Sequence, residues 1–498
     1  MKAINIKIIS GIILLAALFT LLGSCQTGGD SGKTDKPTGA PEKTDAETTT
    51  EAMTERLYPD LAPQDFGGYE FRVLYRGPGY VNSYWRARDI YAEEENGDPI
   101  NDAVYKRNKT IEEKYNIVIA GVPENGQLPV FAQRMIRAGD DSFDVMSDEP
   151  ALSNNIISSG GFVNLHSIAS VDISKPWWDK NAAENLSING KLYFTASDYI
   201  ILEKDATSAV LFSKQMIQNF GLADPYRMVR GGTWTLDRMN EMARAVTLDL
   251  NGDGIIDDED QWGLVGQNHT AYVLFKAAGE YIAKINSSGE PEVTMGNQRA
   301  VAILDKITEM QAFTIKADAY SSKYGDAVWD IIQLGIFEAN RGLFLCRYVE
   351  AATKLRESDV DFGIIPPPKF DENQNGYFIN GGLGCGLAIP VTVTDKERTG
   401  IILDALSAES RYTLIPAYYD ITLKTKLARD DESSEMLDII FANRIFDLGW
   451  NYARGIVYPF FNELSEKQTN NIASFLEKNE GKISAAMEEA VQAVNDID

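Results

Sequence analysis

Hydrophobic and polar positions in the first part of the chain follow a strand, helix, strand rhythm. Residues 69–75 alternate with period two, as a half-buried strand does. Asn101 can cap a helix whose apolar positions Val104, Ile111 and Tyr115 recur at helical spacing. A strand at 117–120, a helix at 131–138 and a buried strand at 143–146 are predicted next. This succession predicts a parallel sheet in an α/β lobe.

Helical periodicity dominates further along the chain. Leu236, Met239, Ala243 and Val246 form the inner stripe of one predicted helix. Other helices are predicted at 271–282, 299–310, 328–337 and 472–494, and strands at 190–194, 209–212, 342–346 and 362–365. Because 498 residues exceed what one hydrophobic core usually supports, we expect a second, more helical lobe.

Acidic residues follow predicted strands at three places. Asp148 and Glu149 come directly after the strand at 143–146, and Asp198 follows the strand at 190–194. In open α/β sheets, ligands collect beyond the carboxyl ends of the strands. These three carboxylates are therefore candidate ligand-binding residues, and the alternative is that they are solvated loop carboxylates.

The run 249–260 contains six carboxylates and no basic residue. Its pattern matches an EF-hand-type loop, in which Gly254 takes the sixth position and positive φ, and Ile256 is the buried apolar residue. Asp260 stands where such loops usually have Glu. The predicted Ca²⁺ ligands are Asp249, Asn251, Asp253, the carbonyl of Ile255, Asp257 and Asp260. The alternative is a solvated acidic turn.

Charge and composition exclude several classes of function. The net charge of −26 argues against nucleic acid or an anionic membrane surface as the partner, since both reward clusters of Lys and Arg. Only His166 and His269 are available for histidine-centred catalysis, and phosphate-binding and dinucleotide fingerprints are absent from the sequence. Cys346 and Cys385 are too few for a disulfide scaffold.

The N-terminal segment indicates export. Lys2 and Lys7 precede the apolar run 8–22, and the sequence that ends in Cys25 resembles the lipobox of bacterial lipoproteins. Residues 1–24 are therefore predicted to be a signal peptide and Cys25 a lipidated residue. The polar stretch 25–58 is predicted to be a disordered tether that holds the protein at the extracellular face of the cell membrane.

Several segments, taken in their order along the chain, resemble extracellular solute-binding proteins of ABC importers. The resemblance is to family 1, the maltose-binding-like carbohydrate group, and it covers most of the chain from about residue 69. Besides the lipobox and the tether, it rests on the segments 190–193 (GKLY), 232–236 (GTWTL), 361–366 (DFGIIP) and 386–390 (GLAIP).

The resemblance implies a type II periplasmic-binding-protein-like α/β fold, in which two lobes joined by a hinge close over a ligand. Lobe 1 would comprise residues 59–203 and about 378–415, and lobe 2 about 204–377 and 416–498. The loop 249–260 looks like a recurrent insertion of this group, so its calcium would act as a structural clamp on lobe 2.

Sugar recognition requires flat aromatic surfaces and planar polar groups, which directs attention to tryptophan. Trp85 lies in a polar loop after the first strand, Trp329 lies on a predicted helix, and one of the adjacent Trp177 and Trp178 is expected to face ligand. Gly382 would let backbone approach the ligand or serve the hinge. Core packing is expected instead for two others, Trp234 and Trp262.

The sequence thus predicts a monomeric, lipid-anchored receptor that captures a carbohydrate, an oligosaccharide by preference, and delivers it unaltered to an ABC permease. It is not expected to be an enzyme. A surface polysaccharide-processing enzyme and a non-transport carbohydrate sensor or adhesin are the alternatives.

Overall fold

A computed structural model describes residues 56–80, 82–381, 385–419 and 431–497. The predicted signal peptide, Cys25, almost all of the tether and Gly382 lie outside the described residues. The described strands are β1 Tyr69–Arg76, β2 Ile117–Glu124, β3 Val145–Asp148, β4 Ser208–Ser213, β5 Trp262–Gly266, β6 Ala283–Ile285, β7 Pro291–Val293, β8 Thr314–Lys316, β9 Gly342–Tyr348, β10 Phe362–Ile365, β11 Ile379–Asn380, β12 Gly386–Ala388 and β13 Arg444–Ile445.

Helices connect and cover these strands. The longer ones are α1 Pro99–Tyr115, α2 Leu128–Arg137, α3 Leu236–Val246, α4 Thr270–Ala277, α5 Gln298–Met310, α6 Lys396–Tyr412, α7 Asp431–Ala442, α8 Leu448–Lys467 and α9 Ile472–Asp496. Shorter helices span Asn154–Ser158, Lys180–Leu186, Leu202–Asp205, Lys214–Asn219, Pro225–Arg230, Ser321–Tyr324, Gly335–Glu338, Glu350–Lys354 and Leu414–Pro416. A π-helix spans Trp329–Leu334.

The first sheet has the strand order β12-β3-β1-β2. β1 pairs in parallel with β2 and β3, as the sequence pattern predicts, whereas β12 is antiparallel to β3. We call this sheet, with α1, α2 and α6, the first lobe. Asn101 does not cap α1, contrary to expectation, because Asp98 accepts the free N–H groups of Ile100 and Asn101 and Pro99 begins the helix.

The second sheet has the strand order β10-β4-β9-β5-β8. β5 is parallel to both β8 and β9, so the carboxyl ends of these three strands lie at one edge. β4 is antiparallel to β9 and β10. This sheet, with α3, α4 and α5, is called the second lobe. The strand expected at 190–194 is not formed, and this segment has only isolated bridges, such as Ile188 with Lys191.

Tryptophan packing in the second lobe agrees with the sequence pattern. Trp234 is fully buried against Phe344 and donates its indole N–H to the carbonyl of Pro366 at 2.9 Å. Trp262 is also buried and donates to the carbonyl of Asp257 at 2.7 Å. These contacts confirm the expected core placement of both residues.

The helices α8 and α9 pack back against the first half of the chain. In α8, the carbonyl of Asn451 accepts a hydrogen bond from the side chain of Asn154, which belongs to the first half of the chain. In α9, the carbonyl of Val494 accepts a hydrogen bond from Lys191 Nζ at 2.9 Å. Within the described residues, none of the helices has the length and apolar character that crossing a bilayer requires.

Candidate functional site

A cavity of about 250 Å³ lies where the first and second lobes face each other. Its walls come from the loop after β1, the carboxyl edge of the second sheet, the π-helix and α8. The residues around it are Asn82, Tyr84, Trp85, Asp205, Gln267, His269, Asp318, Trp329, Gln333, Arg347, Tyr348, Glu350, Arg454 and Tyr458.

The second-lobe wall is formed where three neighbouring strands end. Gln267 and His269 follow β5, Asp318 follows β8, and Arg347 and Tyr348 end β9. These strands run in parallel, so the residues after them converge at one edge of the sheet. Ligand-binding residues were expected beyond the carboxyl ends of the strands in the first lobe, and in the structure such residues form the wall of the second lobe.

The first-lobe wall is one short turn. The side chain of Asn82 accepts the backbone N–H of Tyr84 at 3.1 Å and begins the 3-10 turn that ends at Trp85. The Trp85 ring meets Tyr348 edge-on, with 5.4 Å between ring centroids. Arg347 lies over the Tyr84 ring, 4.9 Å from its centroid. The loop is therefore held by contacts with the second lobe.

Helix α8 adds Arg454 and Tyr458 to the cavity. Its backbone departs from helical geometry at Ala453, where φ is −112° and ψ is 16°. Just before this kink, Trp450 stacks on Tyr272, with ring centroids 3.9 Å apart and an interplanar angle of 16°. The kink re-aims the helix, and Arg454 follows it directly.

His269 is held neutral among these aromatic rings. Its ring centroid lies 5.1 Å from that of Trp450 and 5.2 Å from that of Tyr272. Burial, with a smaller contribution from Arg454, lowers the pKa of His269 to about 3. A neutral imidazole has one donor and one acceptor nitrogen, so it can bind a hydroxyl group in either sense.

A buried ion-pair network lies behind the cavity on the first-lobe side. Arg76 Nη2 lies 2.5 Å from Asp148 Oδ1 and 3.9 Å from Glu149 Oε2. Glu149 also pairs with Arg454 of α8 at 2.5 Å. Burial raises the pKa of Glu149 to about 7, against the opposing effects of Arg454 and Arg76. The network connects the first sheet to a helix that lines the cavity.

Five aromatic side chains and three acidic ones surround the cavity. The aromatic residues are Tyr84, Trp85, Trp329, Tyr348 and Tyr458, and the acidic residues are Asp205, Asp318 and Glu350. Aromatic faces pack against the C–H surfaces of sugar rings, while planar carboxylates and amides bind hydroxyl groups. Burial raises the pKa of Asp318 and of Glu350. The arrangement suits an uncharged ring with many hydroxyls.

The structure brings some of the sequence-predicted residues to the cavity and places others elsewhere. Trp85 and Trp329 line it, and Asp148 and Glu149 lie behind it in ion pairs. Asp198 is not at the cavity, because it pairs with Lys204 at 3.3 Å and Arg411 at 3.2 Å. Gly382 lies outside the described residues.

Trp177 and Trp178 do not face the cavity, which corrects the expectation that one of them would. Both are buried in the core of the first lobe, with 1% and 3% exposure. Both indole N–H groups donate to Asp404 Oδ1, at 2.8 and 2.6 Å. One buried carboxylate on α6 thus accepts from two adjacent tryptophans, and it holds both of them in the core.

Sequence reasoning missed most of the second-lobe wall. Gln267 follows the strand that begins at Trp262, so the carboxyl-end rule could have found it. Arg454 and Tyr458 follow no strand, and the signal for them is the kink itself, since Gly455 and Pro459 lie in the helix just after Ala453. His269 was considered only as a catalytic or metal-binding residue.

The acidic loop 249–260 lies away from the cavity, between α3 and β5. Gly254 has φ +83°, as the EF-hand pattern predicts. Ile256 is 44% exposed, so the expected buried apolar residue is not buried. Asp260 instead fixes the loop, since its two oxygens accept the N–H groups of Leu250 at 2.8 Å and Asp257 at 2.9 Å.

The donors of the loop 249–260 already have partners within the loop. Asp249 accepts the N–H groups of Gly252 at 2.6 Å and Gly254 at 2.8 Å, so both its oxygens already have partners. Among the described residues, His, Cys, Asp and Glu form no group of three or more that could hold a metal ion. Two of the predicted ligands, Asn251 and the carbonyl of Ile255, are not among these residue types, so calcium binding by this loop stays a prediction.

Comparisons with known proteins bear on the fold. No family model matches the chain, and no curated protein matches it in sequence. Solved structures do match. An ABC substrate-binding protein from Listeria monocytogenes, in complex with cycloalternan, is 12% identical with a TM-score of 0.53, over 86% of this chain and 98% of that chain.

Two further structures give the same result. A cyclo/maltodextrin-binding protein complexed with maltotetraose is 16% identical with a TM-score of 0.55, over 86% of this chain and 96% of that chain. A sugar transporter from Rhizobium etli in an open conformation is 13% identical with a TM-score of 0.55, over 86% of this chain and 100% of that chain. The chain therefore has the two-lobe α/β fold of these binding proteins, which confirms the predicted fold class.

Proposed function

We propose that this protein is a carbohydrate receptor that captures a sugar in the cavity between its lobes and delivers it, without altering it, to an ABC transporter permease. The observation that carries the proposal is the combination of five aromatic and three acidic side chains around one cavity at the carboxyl edge of the second sheet. The sugar ligands named for the similar structures support the same ligand class.

An oligosaccharide is the proposed form of the ligand. The aromatic residues come from both lobes, with Tyr84 and Trp85 on one side and Trp329, Tyr348 and Tyr458 on the other. Stacking surfaces from separate elements can each take one sugar ring, as a chain of several rings requires.

Calorimetric titration with a panel of neutral oligosaccharides tests the proposal. We expect at least one to bind, and we expect Trp329→Ala to lower its affinity about tenfold through the loss of about 1.4 kcal/mol of stacking. Phe220→Ala is the matched control, because Phe220 is exposed on the second lobe and does not line the cavity. Hydrolysis of a bound sugar would favour the polysaccharide-processing alternative, and binding of peptides alone would exclude the sugar proposal.

The membrane anchor is a separate part of the proposal. It rests on the N-terminal segment whose lipobox-like end is Cys25. We propose that Cys25 carries the lipid and that the following polar residues let the binding lobes reach a permease from the extracellular face. Cys25→Ser is expected to release the protein into the medium. Retention of this variant in the membrane fraction would contradict the anchor.

Calcium binding by the loop 249–260 is also a proposal. It is supported by the spacing of Asp249, Asn251 and Asp253 and by the positive φ of Gly252 and Gly254. Each oxygen of Asp249 accepts one N–H group and has a second lone pair with which it can bind the ion. Because the loop lies away from the cavity, a bound ion would support the fold of the second lobe and would not contact the sugar.

A further inference from the structure

Four side chains that line the cavity carry a buried polar atom for which the described residues provide no hydrogen-bond partner. These atoms are Asp205 Oδ1, His269 Nε2, Gln333 Nε2 and Glu350 Oε1. Leaving a buried polar group without a partner is costly, and native structures contain few of them. The last torsion of Asp, Glu, Gln and His side chains is broad. Each atom can therefore turn towards a ligand in the cavity.

Other cavities also contain such atoms, but they differ in size. Tyr193 and Thr195 belong to two separate cavities of about 20 Å³ each. That volume holds roughly a single water molecule, which needs about 10–15 Å³. Among the described cavities that carry such atoms, the cavity of about 250 Å³ is large enough to admit a ligand that completes these hydrogen bonds, and a further cavity of about 280 Å³ carries none of them.

The carboxylates of Asp205 and Glu350 each have an oxygen that their ion pairs with arginine do not use. Asp205 pairs with Arg88 at 2.8 Å through Oδ2 only, and Glu350 Oε2 lies 3.6 Å from Arg347. These ion pairs leave Glu350 Oε1 and Asp205 Oδ1 as acceptors, and the Tyr418 hydroxyl also lies beside Asp205. A ligand beside them must present hydrogen-bond donors.

The arginines at the cavity are already engaged. Arg347 donates to Gln333 Oε1 at 3.0 Å and to the carbonyl of Trp329 at 3.3 Å. Arg454 pairs with Glu149 at 2.5 Å. These bonds use Nη1 of each guanidinium, so the other N–H groups stay available to an acceptor, but an acidic ligand would meet three carboxylates of its own sign, Asp205, Asp318 and Glu350.

A hydroxyl group can pair with both the acceptor atoms and the donor atoms that have no partner. It donates to the carboxylate oxygens of Asp205 and Glu350 and accepts from the amide of Gln333, and it pairs with the neutral imidazole of His269 in either sense. A ligand carboxylate can only accept. The net charge of −26 also disfavours the approach of an acidic sugar.

We propose that the cavity takes uncharged polyhydroxylated sugars and rejects their uronic acid counterparts, and that Glu350 and Asp205 set this discrimination. The inference rests on the proposed function, since it concerns which carbohydrates the same cavity accepts.

The preference for uncharged sugars is tested by calorimetry with matched pairs, each of a neutral sugar and its uronic acid. The probes are β-1,4-mannotriose with β-1,4-trimannuronate, glucose with glucuronate, and galactose with galacturonate. Titrations are run at about pH 8, above the ordinary titration range of carboxyl groups. In every pair that binds, we expect the neutral member to bind at least about tenfold more tightly. Equal or tighter binding of the acid would overturn this inference but leave the receptor proposal standing.

Variants assign the discrimination to the named residues. Glu350→Gln replaces the acceptor oxygen by an amide that can donate, so the neutral-to-acid affinity ratio is expected to fall about tenfold. Glu338→Gln is the control, because Glu338 is exposed on a neighbouring helix away from the cavity. A ratio unchanged in Glu350→Gln would overturn the role of Glu350.

A measurement on the unaltered protein covers the case in which Glu350→Gln does not fold. Salt screens the repulsion between like charges, so the neutral-to-acid affinity ratio is expected to fall as ionic strength rises. A ratio independent of salt would overturn the electrostatic argument. A panel in which none of the six sugars binds would overturn the inference together with its premise that the cavity holds carbohydrate.

Discussion

Charged residues gather at the carboxyl ends of strands in both lobes, but they are used differently. In the first lobe, Arg76 ends β1 and Asp148 ends β3, and these residues pair with each other under full burial. In the second lobe, Arg347 ends β9 beside Glu350, with a looser contact of 3.6 Å and free acceptor capacity.

The difference indicates that the charged residues of the two lobes have different roles. The first-lobe charges are enclosed and stabilise the junction with α8, whereas the second-lobe groups face a cavity that a ligand can enter. A charged residue at the end of a strand is therefore a guide to the region of a site, and its burial and partners decide whether it contacts ligand or supports the residues that do.

The strongest test of this comparison removes the central cation of the first-lobe network. Arg76→Leu would leave Asp148 buried without its cation, while Glu149 would keep Arg454, and we expect the free energy of unfolding to fall by about 3–5 kcal/mol. Urea denaturation measures this change. Arg227→Leu is the control, since Arg227 is exposed on the second lobe, and its stability should stay close to wild type. Similar stabilities for both variants would contradict a supporting role for the network.

The tryptophan pair in the first lobe offers a second test. Asp404→Leu leaves two buried indole N–H groups without an acceptor, so the free energy of unfolding should fall by about 2–4 kcal/mol. Asp404→Asn keeps an acceptor oxygen and should be much milder. Sugar affinity of the folded protein should stay unchanged in both variants, and a selective loss of affinity in Asp404→Asn would return Trp177 or Trp178 to the site.

The protonation of Glu149 gives the first-lobe network a pH-dependent effect on stability. Burial raises its pKa from 4.5 to about 7, so between these values the folded protein holds a proton that the unfolded chain releases. This contribution to stability is complete below about pH 4.5 and is lost as pH rises to about 7. Glu149→Gln should flatten that part of the stability profile by about 1–3 kcal/mol. An unaltered slope in the variant would place the titration elsewhere.

The smallest expected effect concerns the acidic loop of the second lobe. If the proposed calcium ion binds there, a chelator should lower the melting temperature by about 2–4 °C and leave sugar affinity unchanged. Asp249→Asn should abolish the response to the chelator, because this type of loop takes only Asp at its first position. A loss of affinity at constant melting temperature would place the ion in the cavity, and no response at all would favour the solvated acidic turn.

Much of the fold could be predicted from the sequence because the period of the apolar residues directly reflects burial. The strand at 69–75 and the strand Phe362–Ile365 were predicted within one residue of their observed bounds. The segment 190–194 was mistaken for a strand, because its apolar residues are buried by neighbouring loops without a continuous partner strand.

The site could be predicted only in part. Trp85 and Trp329 were found because they lie at polar or amphipathic positions where a large aromatic residue has no evident core partner. Trp177 and Trp178 could not be resolved, since their orientation depends on Asp404, which is more than 220 residues away in the chain. Long-range partners of this kind leave no local signal.

The kinked helix α8 also has a consequence for the order of folding. Arg454 and Tyr458 reach the cavity from a helix that pairs with Glu149 and Asn154, about 300 positions earlier in the chain. Contacts of such high sequence separation form only after a large loop has closed, and they are slow to form. During refolding, secondary structure in both sheets should therefore precede the ability to bind sugar, with affinity arriving in the last kinetic phase as α8 docks.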